Sequence, residues 1–416
     1  MVSKARRVLV VAVFTGILSI VPPTASAQSN PESAAIGEKI ETCGLSDEEI
    51  GARWIALFDG ETTFGWRAES NADWTVSDGS INVSTGDAGL LRTTSQFDDF
   101  ELALEFKVGS ETNSGVFIRT PPRPNNPAEN CFEINLADPA VSPFFTGSLV
   151  AREKTSDVTT GKKSWYEKWH TCRIVARGPK IKIWIDDQQT MDYSDPKGDR
   201  CLGKGYIGLQ KNKGPARFRN IRLRPLDVTE IFNSKDLSGW KTDQKMESEF
   251  RVTDKGELQI LNGRGQIETE ALFGNFVFSM ECKTNADGLN SGVFFRCIPD
   301  EIMNGYESQI HNGFREQNRT KPVDQGTGAI FRRTVARRVN ANDQAWFAKT
   351  IIADGAHIAV WVNGYQVTDW SDQRKPDSNP RRGQRLEAGS IMFQGHDPTT
   401  DVLLRNIRAR EIKQRR

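Results

Sequence analysis

Asn290-Ser291-Gly292-Val293-Phe294-Phe295-Arg296, followed ten positions on by Tyr306-Glu307-Ser308-Gln309-Ile310-His311, is the stretch on which the fold turns. Both segments alternate large apolar residues with polar or small ones, the period of a half-buried strand, so alternate side chains share a face. Arg296 ends the first run, and Glu307, Gln309 and His311 stand at i, i+2 and i+4 of the second. As neighbouring strands they would present a guanidinium, a carboxylate, an amide and an imidazole together. Buried polar groups need partners, so such a row predicts a lined cleft. The plainer reading is an Arg–Glu ion pair on a solvated sheet face.

Working outward, the same stretch occurs twice. Asn113-Ser114-Gly115-Val116-Phe117-Ile118-Arg119 precedes it, with Arg119 and Arg296 lying 177 positions apart. Around this pair the rest repeats in order: Phe58-Asp59-Gly60 with Gly65-Trp66 returns as Phe232-Asn233-Ser234 with Gly239-Trp240, and Trp184-Ile185-Asp186-Asp187 as Trp361-Val362-Asn363-Gly364. Phe218-Arg219-Asn220-Ile221-Arg222 returns as Leu404-Arg405-Asn406-Ile407-Arg408. One long period means a duplicated domain, not a solenoid. Short β-prone runs such as Phe100–Phe106 and Ile181–Ile185, broken by Gly, Asn and Asp, predict two all-β sandwiches or jelly rolls. Each copy is expected to pair its first strand with its last. Ser46-Asp47-Glu48-Glu49 predicts a short capped helix ahead of the first copy.

The chain has 416 residues, more than one core usually serves, and 55 Lys plus Arg balance 54 Asp plus Glu. No net field would recruit nucleic acid or an anionic membrane. Residues 1–27 read as an export signal: Lys4, Arg6 and Arg7, then the apolar Val8–Val21, then Ala25-Ser26-Ala27. The mature chain is expected to start near Gln28 in the periplasm or outside the cell, with no further segment apolar enough to enter a membrane. The expected divisions are the signal (1–27), a linker with the short helix (28–51), and the two copies (52–226 and 227–413). None of the six cysteines forms a CxxC pair, which argues against a thiolate zinc site. Cys282 and Cys297 flank an expected hairpin and could bridge, although two packed thiols are the plainer outcome.

Taken together, Leu57-Phe58-Asp59-Gly60, Asp99-Phe100-Glu101-Leu102, the paired Asn-Ser-Gly-x-x-x-Arg runs, Tyr306-Glu307-x-Gln309-Ile310, Thr327-Gly328-Ala329-Ile330, Val362-Asn363-Gly364, Gly208-Leu209-Gln210 and Phe218-Arg219-Asn220-Ile221 resemble the 3-keto-disaccharide hydrolase domain. The resemblance covers nearly all of Trp54 to Ile412, twice. It implies two tandem concanavalin A-like jelly-roll β-sandwiches, each with a concave sheet that holds carbohydrate, in an exported bacterial enzyme or sugar-binding module.

It also implies a chemistry. A ketone at C3 of a glucosyl unit acidifies the C2 hydrogen, so a base can remove it, the C1 oxygen can leave, and water can add afterwards. Such a site needs a base, an acid and a donor for the developing enolate, but no pair of glycosidase carboxylates. On this resemblance Glu307 is the base, Arg296 with Gln309 holds the 3-oxo group, and His311 or His396 protonates the leaving oxygen. Asn290 and Gln394 join as substrate contacts. His396 stands in Phe393-Gln394-Gly395-His396-Asp397, a departure from the family's Leu-Gln-x-His-Gly run, and His311 stands where relatives carry Asp; either could simply cap a strand end. The first copy keeps Arg119 and Glu133 for binding but has no histidine at either matched place, so catalysis is expected in the second. A divalent metal ion is compatible with Glu and His on one face, though no spacing is a metal signature. The rival class is a lectin-like protein in which both concave faces hold glycan and neither reacts. Rows such as Trp165, Trp169 and Trp184, or Trp346, Trp361 and Trp370, would serve stacking or core, with core the expected role for most.

Overall fold

A computed structural model describes residues 39–412 except 157, 159–164, 243 and 244. The export signal expected at 1–27 lies outside the described residues. The helix Asp47–Gly51 is capped by Ser46, whose hydroxyl accepts from the Glu49 amide at 3.2 Å while the Glu49 carboxylate accepts from the Ser46 amide at 3.0 Å. That reciprocal pair satisfies donors a helix start would otherwise leave orphaned. Almost everything else is antiparallel strand.

Each copy is two sheets packed face to face. In the second, a five-stranded sheet runs in the order Trp240–Thr242, Gly265–Thr269, Ser390–Gly395, Ser291–Cys297, Tyr306–Ile310. Beneath it lies a larger sheet centred on Phe276–Thr284, Asp401–Glu411 and Phe347–Asp354. The first copy repeats this with Asn113–Thr120 and Phe132–Ala137 at the matching edge of its five-stranded sheet. Hairpins at the edges flank central strands whose partners are distant in sequence, such as Phe276–Thr284 beside Asp401–Glu411, as in a jelly roll. First and last strands pair in both copies, Ile55 against Leu223 and Thr229 against Ala409.

Between the sheets Phe276, Phe278, Phe295 and Ile351 are fully buried, and in the first copy Phe100, Phe106, Phe132 and Phe218. The first core does not stop at the repeat: Val277, Ile352, Ala359 and Trp361 of the second copy belong to it. The Trp361 indole N–H donates to the Ala56 carbonyl at 2.9 Å. Arg410 grips Asp98 through both terminal nitrogens, and Lys204 reaches Asp354 at 2.5 Å, so charged pairs rim the shared apolar contact. The segment before the helix crosses to the second copy, where the Glu41 amide donates to Asn340 Oδ1 at 2.8 Å and Asn340 Nδ2 donates back to the Glu41 carbonyl at 2.7 Å.

One expectation is corrected. Cys282 and Cys297 do not flank a hairpin: their strands lie in different sheets, Cys282 facing the core and Cys297 packing with Phe294 and Met392. All six cysteines are free thiols, and burial pushes Cys282 up to about 12. Of the tryptophan rows, Trp165 and Trp370 pack against the two cores. Trp165 stacks on His170 at 3.9 Å, Trp169, Trp184 and Trp346 lie under Arg219, Arg173 and Arg405, and Trp361 is core.

Candidate active site

The five-stranded sheet of the second copy floors a cleft of about 650 Å³. Alternation along Tyr306–Ile310 works as read: Tyr306 and Ile310 join the core, while Glu307 and Gln309 line the cleft. Asn290, Gln394 and His396 line it as well. Five of the seven residues expected in this copy are therefore brought together.

Arg296 is not among them. It is fully buried on the other side, donating to the carbonyls of Gly274 (2.8 Å), Gly355 (2.7 Å) and Arg385 (3.2 Å) and to Asn275 Oδ1 (3.1 Å). The cause is a bulge between Phe294 and Cys297, where Arg296 takes a left-handed φ of 48°. A bulge breaks the two-residue alternation and re-aims the side chain. Gly389 lets the neighbouring backbone close on this bulge; a Cβ there would meet the Cys297 carbonyl oxygen at 2.1 Å. Arg119 repeats the arrangement in the first copy, donating to the carbonyls of Asp98, Gly178 and Leu202. Neither arginine lines a cleft; both fasten loops.

His311 also falls away. The strand ends at Ile310, so the alternation no longer governs it, and its Nδ1 accepts from the Gly313 amide at 3.2 Å. It caps the strand end.

Within the cleft, burial raises Glu307 to about 7, with the Arg381 charge pulling the other way. Arg381 was invisible in the sequence, sitting in a loop without periodicity. It lies 3.9 Å from the Glu307 carboxylate, over the Phe294 ring, and its Nε donates to the Met303 carbonyl at 2.6 Å. Asp324, likewise from a loop, accepts from both Asn290 Nδ2 and Gln309 Nε2, the latter at 2.8 Å. Gln309 Nε2 also reaches the Asp324 carbonyl at 3.2 Å, so its donors are committed to the protein. The Gln394 amide nitrogen donates to Met303 Sδ at 3.2 Å, while its buried Oε1 has no partner among the described residues. A buried acceptor left open is suited to a hydroxyl donor.

His396 is held through Nδ1, 2.8 Å from Asp397 Oδ2. A carboxylate on Nδ1 fixes the ring and leaves Nε2 for the cleft, which is how an orienting acid prepares an imidazole for proton transfer. Asp397 is itself lowered to about 2, first by hydrogen bonds from Thr399 and then by His396, so it stays ionised. Among the described residues, no group of three or more His, Cys, Asp or Glu side chains is arranged to hold a metal ion.

The first copy has a smaller cleft of about 470 Å³ containing Glu133 and Gln210. Burial raises Glu133 to about 7 as well, and Gln210 Nε2 donates to its Oε1 at 3.2 Å. Asn212 lines this cleft where the second copy has His396, and Asn135, the counterpart of Gln309, turns away to Ser142 and the Phe144 carbonyl. No tryptophan lines either cleft among the described residues.

The second sandwich thus brings a shielded carboxylate and an oriented imidazole into one cleft. The sequence pattern of the 3-keto-alpha-glucoside-1,2-lyase-like domain matches the chain twice, over residues 53–224 and 227–410, and the chain belongs to that family. A 3-keto-disaccharide hydrolase of Bacteroides thetaiotaomicron is 25% identical over 235 residues, covering 42% of this chain and 79% of that protein. A crystal structure from Parabacteroides distasonis, carrying a provisional glycosyl hydrolase name, is 20% identical over 44% of this chain and 99% of its own, with a TM-score of 0.37. A carbohydrate-binding module from Bacillus subtilis is 16% identical over 38% of this chain and 94% of its own, with a TM-score of 0.28.

Proposed function

We propose that the second sandwich cleaves 3-keto-glycosides by elimination followed by hydration. The supporting observation is that Glu307, Arg381 and an Asp397-oriented His396 share one cleft. Glu307 takes the proton from C2, and the C–H electron pair forms the C2–C3 double bond as the ketone oxygen becomes an enolate. The enolate collapses, the C1–O bond breaks, and His396 Nε2 protonates the departing oxygen. Water then adds to the unsaturated ketone.

Arg381 takes the role first expected of Arg296, stabilising negative charge on the oxo group as it develops. Gln394 Oε1 accepts a sugar hydroxyl. The first copy, with a carboxylate but no imidazole in its cleft, binds or braces and does not react.

Running the reaction in deuterated water with a 3-keto-disaccharide tests the proposal: monosaccharide is released and unconsumed substrate gains deuterium at C2. Release without any exchange at C2, together with direct transfer to water at C1, would refute the elimination. The base acts deprotonated, so kcat/KM should rise with pH through about 7, the value to which burial raises Glu307. A profile flat between pH 5.5 and 8.5 would exclude Glu307 as the titrating base.

We propose as well that residues 1–27 direct export and are removed. N-terminal sequencing of the mature protein should begin near Gln28.

A further inference from the structure

Beside Glu307, and sharing Glu307, Phe331 and Arg381 with the main cleft, lies a second pocket of about 190 Å³ walled by Arg332, Arg333 and Arg381. Glu307 is the one acid among its lining residues. Arg333 donates only to main-chain carbonyls, those of Arg332 at 3.1 Å and Arg381 at 2.6 Å, and the Arg332 guanidinium lies over the Phe331 ring at 5.3 Å. Among the described residues no carboxylate comes within 4 Å of either group. Burial and then the charge of Arg374 hold Arg333 below its ordinary value, with the Asp372 carboxylate pulling the other way.

The first copy supplies an internal control. Its Val150-Ala151-Arg152-Glu153 makes the same turn as Phe331-Arg332-Arg333-Thr334: the Leu149 amide donates to the Glu153 carbonyl at 3.0 Å, and the Ile330 amide to the Thr334 carbonyl at 3.1 Å. Ala151 and Arg332 even share a left-handed φ, 58° and 60°. Yet Ala151 replaces one arginine, and Arg152, the counterpart of the other, is paired with Asp195 at 3.5 Å. The first copy neutralises this corner, whereas the second adds a cation and pairs neither. Three guanidinium groups facing one carboxylate leave the pocket with an excess of positive charge, and an oxyanion between Arg332 and Arg333 relieves their repulsion through short, charge-assisted hydrogen bonds.

We propose that this pocket binds an oxyanion, a carboxylate or sulfate, carried on the oxidised glycosyl unit itself, so that the second sandwich prefers acidic 3-keto-glycosides. The placement on that unit follows from the lining: Glu307, which takes the C2 proton, belongs to both cavities, while His396, which meets the leaving oxygen, belongs only to the larger. The inference rests on the proposed reaction for its substrate but not for its charge preference.

The test compares three 3-keto-disaccharides with the same leaving sugar: one with a neutral oxidised unit, one with a uronate there, and one with a 6-sulfate. For at least one acidic substrate kcat/KM should exceed the neutral value by about tenfold at low salt, and the advantage should shrink as salt rises. Which of the two gains identifies the source of the charge. Arg332→Ala, an exchange this turn already accommodates in the first copy, should bring the acidic-to-neutral ratio down towards one. A wild-type ratio near one for both acids, or a ratio unmoved by Arg332→Ala, overturns the proposal. If no 3-keto-glycoside is turned over at all, calorimetric titration with methyl glucuronoside and methyl glucoside decides instead. Tighter binding of the uronide that is lost in Arg332→Ala upholds the pocket although the reaction is wrong, and equal binding of the two sugars removes the pocket as well.

Discussion

Replacing Glu307 by Gln is expected to lower turnover of a 3-keto-disaccharide by at least about a hundredfold, the usual contribution of a positioned general base. The amide has nearly the same size and reach but cannot accept the C2 proton. Substrate affinity should change far less, since the cleft still offers hydrogen-bonding groups at that place. Thermal stability should not fall, because Glu307 is held by burial with Arg381 only at 3.9 Å, not by a close ion pair whose loss would strand a buried charge. Glu133→Gln is the control. Its carboxylate is equally shielded, but its cleft has Asn212 in place of the imidazole, so turnover should be nearly intact. Kinetics and melting curves on both variants decide the matter. A hundredfold loss in the Glu133 variant with the Glu307 variant unimpaired would move the active site to the first copy.

Arg296→Met is expected to act in the opposite currency. The side chain is fully buried and holds three carbonyls and one side-chain amide oxygen from separate segments. Methionine fills comparable space but satisfies none of them, and unsatisfied buried acceptors cost about 1–3 kcal/mol each before relaxation. A net loss of roughly 3 kcal/mol or more follows, seen as an earlier thermal or denaturant transition. The protein that remains folded should retain its kcat within a few-fold. Unchanged stability with a hundredfold loss of kcat would return Arg296 to the substrate.

These two residues mark how far the sequence could be read. Glu307 was legible because its neighbours Tyr306 and Ile310 obey strict alternation, and the same rule found Gln309. Arg296 stood on the same pattern and was misplaced because a one-residue bulge has no signature in an apolar run; the repeat reproduced the error faithfully at Arg119. His311 failed for a related reason, since periodicity does not announce where a strand stops. The duplication and the pairing of first with last strands were readable because each needs only repetition and order. Arg381, Asp324 and Met303 were not, because they arrive in the cleft from loops whose path is set by tertiary packing. The bridge imagined between Cys282 and Cys297 failed because adjacency in sequence was mistaken for adjacency in one sheet.

The crossing of the segment around Glu41 to Asn340 carries a consequence for how the protein is made. Those partners are 299 residues apart, and Arg338 and Lys39 are joined over the same span. On a ribosome adding on the order of 10 residues per second, the opening segment must wait roughly half a minute for its partner to be synthesised. Trp361, emerging later still, completes a core begun by the first copy. The early half is thus held unfinished by the late half, and any pause or truncation in the last hundred or so residues leaves an open apolar seam on a sandwich that is otherwise built.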